Sequence, residues 1–255
     1  LLAPRTLQAL REAFAVHGIS HEEVVSVPFS AELPVLQRPG AYCVFYGSTT
    51  LLMNAYRAGY PGVFYDPARF TVRNYLRQWP GRTLNHDAVI EPLARFVARP
   101  HPPDSQWFVR PNDDTKTFAG QVLGFAELQR WHAQLAALPP ADLRPEADWV
   151  FSRPKPIEKE WRHFIVDGRI VASARYQLHG ALSVSAADVP AELLTFVQRC
   201  CALYQPHAVF VLDTALTQGR YAIIECNCFN GTGFYDHDVA AIVAAVTDFL
   251  QTQNP

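Results

Sequence analysis

The sequence predicts a mixed α/β protein, with a small parallel α/β layer in its N-terminal part and antiparallel hairpins in its C-terminal part. Three observations carry this. Strand-like Ala41–Tyr46 and Phe64–Asp66 alternate with helix-like Leu51–Ala58 and Val72–Trp79, which is the order of a layered parallel sheet. Trp161–Val166 and Arg169–Ala174 are joined by Asp167-Gly168, a pair suited to the positive backbone angles of a tight hairpin. Apolar Ala208–Asp213 and Tyr221–Ile224 are separated by a short link holding Gln218-Gly219, which predicts a second hairpin.

The remaining elements follow from periodicity and punctuation. Leu7, Leu10 and Phe14 recur near helical spacing over Thr6–His17, and Gly18 supplies the stop. After Tyr46, the turn Gly47-Ser48-Thr49-Thr50 caps the next helix and leaves an anion-friendly N-terminus, although it equally fits an ordinary cap. The proline cluster from Pro100 to Pro103 marks a domain boundary, giving an N-terminal domain over 1–103 and a second domain over 104–255. Beyond it, Gln106–Pro111 reads as a strand, 112–120 as a polar loop and Phe125–Leu138 as a helix ended by Pro139-Pro140. Asp148–Ser152 is a strand, Pro190 opens a helix running to about Tyr204, and Val239–Phe249 is an apolar closing helix.

Composition narrows the function. With 255 residues, 49% of them hydrophobic, the chain can bury a sizeable core. A net charge of -2 leaves no electrostatic footprint for nucleic acid or an anionic membrane surface, and no apolar run approaches a membrane span. The five cysteines lack framework spacing, so a reducing cytoplasm is expected. The first residues hold no signal-peptide pattern, and the absent initiator Met implies trimming.

Chemistry concentrates on the second hairpin. Alternation puts Glu225 and Asn227 on one face of their strand, and folding the hairpin returns Asp213 toward them. Two carboxylates and an amide oxygen at a strand edge suit Mg²⁺, a hard cation that retains room for water and phosphate. Cys226 and Cys228 point the other way, as buried thiols and not as a zinc site. Arg110, Arg162 and Arg175 stand on or at the ends of β-elements in the same half of the chain, with Lys116 on the polar loop after Arg110. Each alone fits a solvated surface charge; together they match what phosphate oxygens need around metal-bound acids. Lone His163 and His237 are expected to pack or cap rather than catalyse.

In order along the chain these motifs resemble the ATP-grasp superfamily of carboxylate–amine ligases. The likeness is to a clade of small bacterial and phage members in which arginine replaces the lysine of the first ATP-binding strand. It rests on Phe108-Val109-Arg110-Pro111 with Asp114 and Lys116, on Val150-Phe151-Ser152, on Glu160-Trp161-Arg162, on Ser173-Ala174-Arg175-Tyr176, and on Asp213 with Glu225-Cys226-Asn227. The resemblance implies an α+β ATP-grasp fold. A small N-terminal α/β domain would precede two α+β subdomains, a lid over 104–152 and a metal-bearing subdomain over 153–255, that clasp ATP between antiparallel sheets.

The resemblance also implies roles. Asp213, Glu225 and Asn227 would hold two Mg²⁺ ions, with Mn²⁺ as an alternative. Arg110 and Lys116 would meet ATP phosphates, the backbone of Phe151 and Ser152 would read adenine, and Glu160 would bind the ribose hydroxyls. Arg162, Arg175 and Lys116 would act on the γ-phosphate or the acyl-phosphate made from it. The implied reaction joins a carboxylate to an amine, on an amino acid or peptide, releasing ADP and phosphate. Two features depart from the family pattern: the loop 112–119 has no glycine before Gly120, and Ser152-Arg153 stand where acidic hinge residues are usual. Two other readings therefore accompany the first, a nucleotide- or peptide-binding protein without ligation and a phosphotransferase.

Overall fold

A computed structural model describes residues 3–27, 30–37, 43–114, 118–137 and 146–253. In chain order the elements are α1 (Pro4–His17), α2 (Thr49–Arg57), α3 (Val72–Gln78), β1 (Val89–Pro92), α4 (Leu93–Val97), β2 (Gln106–Pro111), β3 (Gln121–Gly124), α5 (Phe125–Ala137) and β4 (Asp148–Ser152). There follow β5 (Lys159–Val166), β6 (Arg169–Leu178), β7 (Ala181–Ser185), α6 (Ala191–Leu203), β8 (Val209–Thr217), β9 (Arg220–Cys228), a single 3₁₀ turn (Phe229–Gly231) and α7 (Val239–Gln253). The chain divides into two compact units, one made of Leu1–Asp66 with Ile157–Pro255, the other of Pro67–Pro156. No helix among the described residues is long and apolar enough to cross a membrane.

The 67–156 unit is built on a four-stranded antiparallel sheet in the order β1-β4-β2-β3. Alternation on β2 and β4 sends Trp107, Val109, Trp149 and Phe151 to one side, where α4 and α5 supply Leu93, Phe96, Phe125 and Leu128. Phe151 is fully buried and its ring stacks on Phe96 with centroids 3.8 Å apart. Burying each such side chain contributes about 1.5–3 kcal/mol, enough to hold β4 rigidly in place.

The other unit carries a five-stranded antiparallel sheet, β7-β6-β5-β8-β9. Three of its strand pairs are joined by turns whose two central residues both have positive φ: Asp167-Gly168 between β5 and β6, His179-Gly180 between β6 and β7, and Gln218-Gly219 between β8 and β9. Phe164, Val166, Val209 and Val211 pack with Ile242 and Val246 of α7, and with Phe64 and Phe229. α1 in turn lays Leu10 and Ala13 on Val239 and Val243. On the opposite sheet face Trp161 meets Tyr221, which meets Phe196 of α6.

The expected parallel layer is reduced to one bridge. Of the strands anticipated at 41–46 and 64–66, the described part contains a single parallel pairing, Val44 with Gly62; residues 41 and 42 lie outside the described residues. A side chain explains what replaces the ladder. The buried Asn230 amide donates to the Phe45 and Gly62 carbonyls (2.6 and 2.8 Å) and accepts from the Phe64 N–H (2.8 Å). One asparagine thus satisfies backbone groups that neighbouring strands would otherwise pair.

Candidate functional site

The second hairpin assembles as its residues require. Asp213 of β8 stands directly opposite Glu225 of β9, Val211 stands opposite Asn227, and Arg162 of β5 stands opposite Asp213 on its other side. The Asn227 amide nitrogen donates to Asp213 Oδ2 (3.2 Å) and to Glu225 Oε1 (3.1 Å). Asn227 is 1% exposed and its Oδ1 is buried without a hydrogen-bond partner. A buried acceptor left unmatched costs about 1–3 kcal/mol; here the amide nitrogen faces both carboxylates, and a half-turn of the amide would present the unmatched oxygen to them instead. Two carboxylates and that oxygen form a hard-donor set of the kind Mg²⁺ takes. Among the described residues no group of three or more His, Cys, Asp or Glu is poised for a metal, and here the third ligand type is an amide.

Arg162 grips Asp213 with both prongs, Nε to Oδ1 at 2.8 Å and Nη2 to Oδ2 at 2.6 Å, and Nη1 donates to the Gly233 carbonyl at 3.1 Å. Burial works against its charge, but the Asp213 carboxylate outweighs burial and holds the guanidinium above its ordinary value. Its guanidinium carbon lies 5.1 Å from the Tyr235 ring and 5.6 Å from the Tyr176 ring, and those rings stack on each other at 4.9 Å. The Tyr176 hydroxyl donates to Glu160 Oε2 at 2.6 Å. Burial raises the Glu160 carboxyl above the usual carboxylate range; the Tyr176 hydrogen bond opposes this and the Asp213 and Glu225 charges reinforce it.

Arg175 has other company. The register of β5 with β6 shifts between Glu160 and Trp161: Glu160 faces Gln177, Trp161 faces Arg175 and Arg162 faces Ala174. The shift leaves Tyr176 as the extra residue of a bulge and moves Arg175 to the Trp161 side of the sheet. There it donates to Asp188 Oδ2 (2.7 Å) and the Ser183 carbonyl (2.7 Å), and Lys159 shares Asp188 at 2.9 Å. Sequence reasoning assigned no role to Tyr176, because strict alternation along β6 gives no sign of a bulge; Tyr235 belongs to the segment 230–235, which the sequence suggests only as a surface for a polar substrate.

The histidines behave as packing groups. His163 is fully buried, with ring nitrogens 2.8 Å from Ser173 Oγ and 2.9 Å from Thr214 Oγ1; burial depresses its pKa to about 3. His237 accepts from the Tyr235 N–H at Nδ1 and so donates from Nε2 to the Arg162 carbonyl at 3.0 Å; burial lowers its pKa to about 4. Cys200, Cys201, Cys226 and Cys228 are buried thiols outside any disulfide.

Within the 67–156 unit, Arg110 lies on β2 opposite Val150 of β4, with Gly120 packed against Phe108 and 3.6 Å from Arg110 Cβ at its own ideal Cβ position. Phe151 is buried and stands between Val89 of β1 and Val109 of β2, whereas Ser152 at the strand's end pairs only with Phe108 of β2 among the strand registers and its Oγ donates to Asn85 Oδ1 at 2.9 Å. The Arg153 N–H and the Lys155 ammonium both bind Asp87. Lys116 lies outside the described residues.

The sequence matches a family model for an ATP-grasp domain, the third family of its clade, over residues 65–246. The protein belongs to this ATP-grasp family. No curated protein matches it significantly. Its fold is similar to that of the D-cycloserine synthetase DcsG, with a TM-score of 0.63 at 12% identity over 95% of this chain and 94% of that one. It is also similar to the D-alanine–D-alanine ligase of Bacillus anthracis complexed with ATP, with a TM-score of 0.53 at 12% identity over 80% of this chain and 75% of the ligase. At these identities the likeness is one of fold: an ATP-grasp architecture of two antiparallel sheets with flanking helices.

Proposed function

We propose that this protein is an ATP-dependent ligase that joins a carboxylate to an amine, releasing ADP and phosphate. The observation that carries the proposal is that the Asn227 amide, whose oxygen is unpartnered, gathers the Asp213 and Glu225 carboxylates at one place on an ATP-grasp domain. These three residues would hold Mg²⁺, which when bound supplies positive charge to the phosphate oxygens of the nucleotide.

The chain's own residues then have defined tasks. Arg162 is the phosphate-side cation of its sheet, already fixed by Asp213, Gly233 and two tyrosine rings. Glu160 takes the ribose hydroxyls, Arg110 and Lys116 meet phosphates, and the Phe151–Ser152 backbone reads adenine. Arg175, engaged with Asp188 and Ser183, is assigned to holding β7 and not to phosphate. A substrate carboxylate oxygen attacks the γ-phosphorus and ADP leaves. The amine nitrogen attacks the resulting acyl carbon, phosphate leaves and the nitrogen loses its proton. Each transfer is governed by positioning and electrostatic stabilisation, so no side-chain nucleophile is needed. Amino acids or peptides are the proposed substrates and the cytoplasm the proposed location.

A melting experiment with ATP and Mg²⁺, each alone and together, tests this. A ligand at a hundred times its dissociation constant stabilises by about 2.7 kcal/mol. Stabilisation that needs both, and that disappears in Glu225→Ala, is expected; no response to the pair refutes the assignment. Amino acids and peptides can then be screened for ADP release, with amide product separating ligation from transfer of phosphate to a hydroxyl.

A further inference from the structure

Sequence alternation gave Tyr176 no role, yet the bulge at 175–177 turns it onto the side of the sheet that carries Glu160 and Arg162. Its two ends do different things there. The hydroxyl donates to Glu160 Oε2 at 2.6 Å, and the ring, stacked on Tyr235 at 4.9 Å, flanks the Arg162 guanidinium. A carboxylate on a strand has rotamer freedom that one strong hydrogen bond can remove, and hydrogen bonds to charged groups are the stronger kind. The phenol keeps its proton: burial, followed by the Asp213 and Glu160 charges, raises its pKa, so the hydroxyl is a constant donor.

We propose that Tyr176 is a positioning residue that fixes Glu160 for recognition of the nucleotide's ribose hydroxyls while its ring steadies Arg162. The inference rests on the functional reading above, in which Glu160 meets the ribose. It makes a separable claim: the effect of Tyr176 on nucleotide binding passes through Glu160.

The test is calorimetric titration of ADP and 2′,3′-dideoxy-ADP, each with Mg²⁺, into the wild type, Tyr176→Phe, Glu160→Gln and the double variant. Ligand-free melting is followed in parallel. Phenylalanine keeps the ring and removes only the hydroxyl, so the fold should persist with a melting temperature lower by only a few degrees. The wild type should prefer ADP by about tenfold, the value of one hydrogen bond to a charged group. Tyr176→Phe should lose that preference by weakening ADP about tenfold and leaving the dideoxy nucleotide alone, and the double variant should be no worse than Glu160→Gln. If Tyr176→Phe retains the wild-type preference while Glu160→Gln loses it, the positioning role is overturned and the Glu160 assignment survives. Equal weakening of both nucleotides with a larger fall in melting temperature would mean a purely structural tyrosine, which also overturns it. A wild type that binds neither nucleotide, or does not distinguish them, removes the Glu160 assignment and this inference with it.

Discussion

The Asn227 amide spends both N–H bonds on Asp213 and Glu225 and leaves its oxygen without a partner, so replacing it tests what the oxygen is for. Asn227→Asp removes both donors and adds a third charge beside two carboxylates. Without a divalent cation it should be less stable than the wild type by about 1–3 kcal/mol. Added Mg²⁺ should stabilise it more than the wild type, which melts with and without the ion will show. His163 gives a second residue-level test. Its imidazole is neutral when folded, with a pKa of about 3 set by burial, whereas the unfolded residue titrates near 6.5. Between those values the unfolded chain binds a proton the folded one refuses, so stability falls as pH falls through that window. From pH 7 to pH 5 the contribution is about 2 kcal/mol at 1.36 kcal/mol per pH unit. His163→Gln should lose correspondingly less stability over that range in urea unfolding.

Among the elements, the segment 43–66 depends on close backbone approach rather than on a ladder. An ideal Cβ on Gly62 would collide with the Cys43 carbonyl oxygen and lie 2.8 Å from Val44 Cα. Gly62→Ala should therefore part the Val44–Gly62 bridge, strain the Asn230 contact to the Gly62 carbonyl and cost about 3 kcal/mol, read as a shift in denaturant midpoint. The same segment shows what the sequence could not reveal. Its apolar, β-branched and aromatic residues read as strands because burial and strand pairing select the same side chains. The partner that took the place of pairing, Asn230, lies far along the chain. The hairpins were legible because Asp167-Gly168 and Gln218-Gly219 carry their turn chemistry locally. β7 was missed because its alternation is short and largely exposed, and β1 because it pairs with β4 across the proline cluster that reads as a boundary. At the site, alternation alone placed Glu225 and Asn227 on one face, whereas Asp213 reaches them through a register shift between Asp213 and Thr214 that strict pairing from the turn would not give. The bulge that exchanges Arg175 for Tyr176 is a register event, set by tertiary pairing and silent in sequence.

For the molecule as a whole, the division into 67–156 and its complement has a consequence in time. Among the described residues every strand partner of the 67–156 unit lies within that stretch, so its sheet can close once residue 156 has left the ribosome. The leading 66 residues have no such option. The Phe64 and Gly47 N–H groups donate to Asn230, and Leu10 and Ala13 of α1 pack with Val239 and Val243 of α7. Residues 1–66 are thus synthesised before the 67–156 unit yet completed after it, their apolar residues waiting until α7 has emerged. Loop closure over such separations is slow compared with local hairpins. In pulsed hydrogen exchange during refolding, amides of β2 and β4 should gain protection before the Phe64 amide. Simultaneous protection would mean that the two units fold as one.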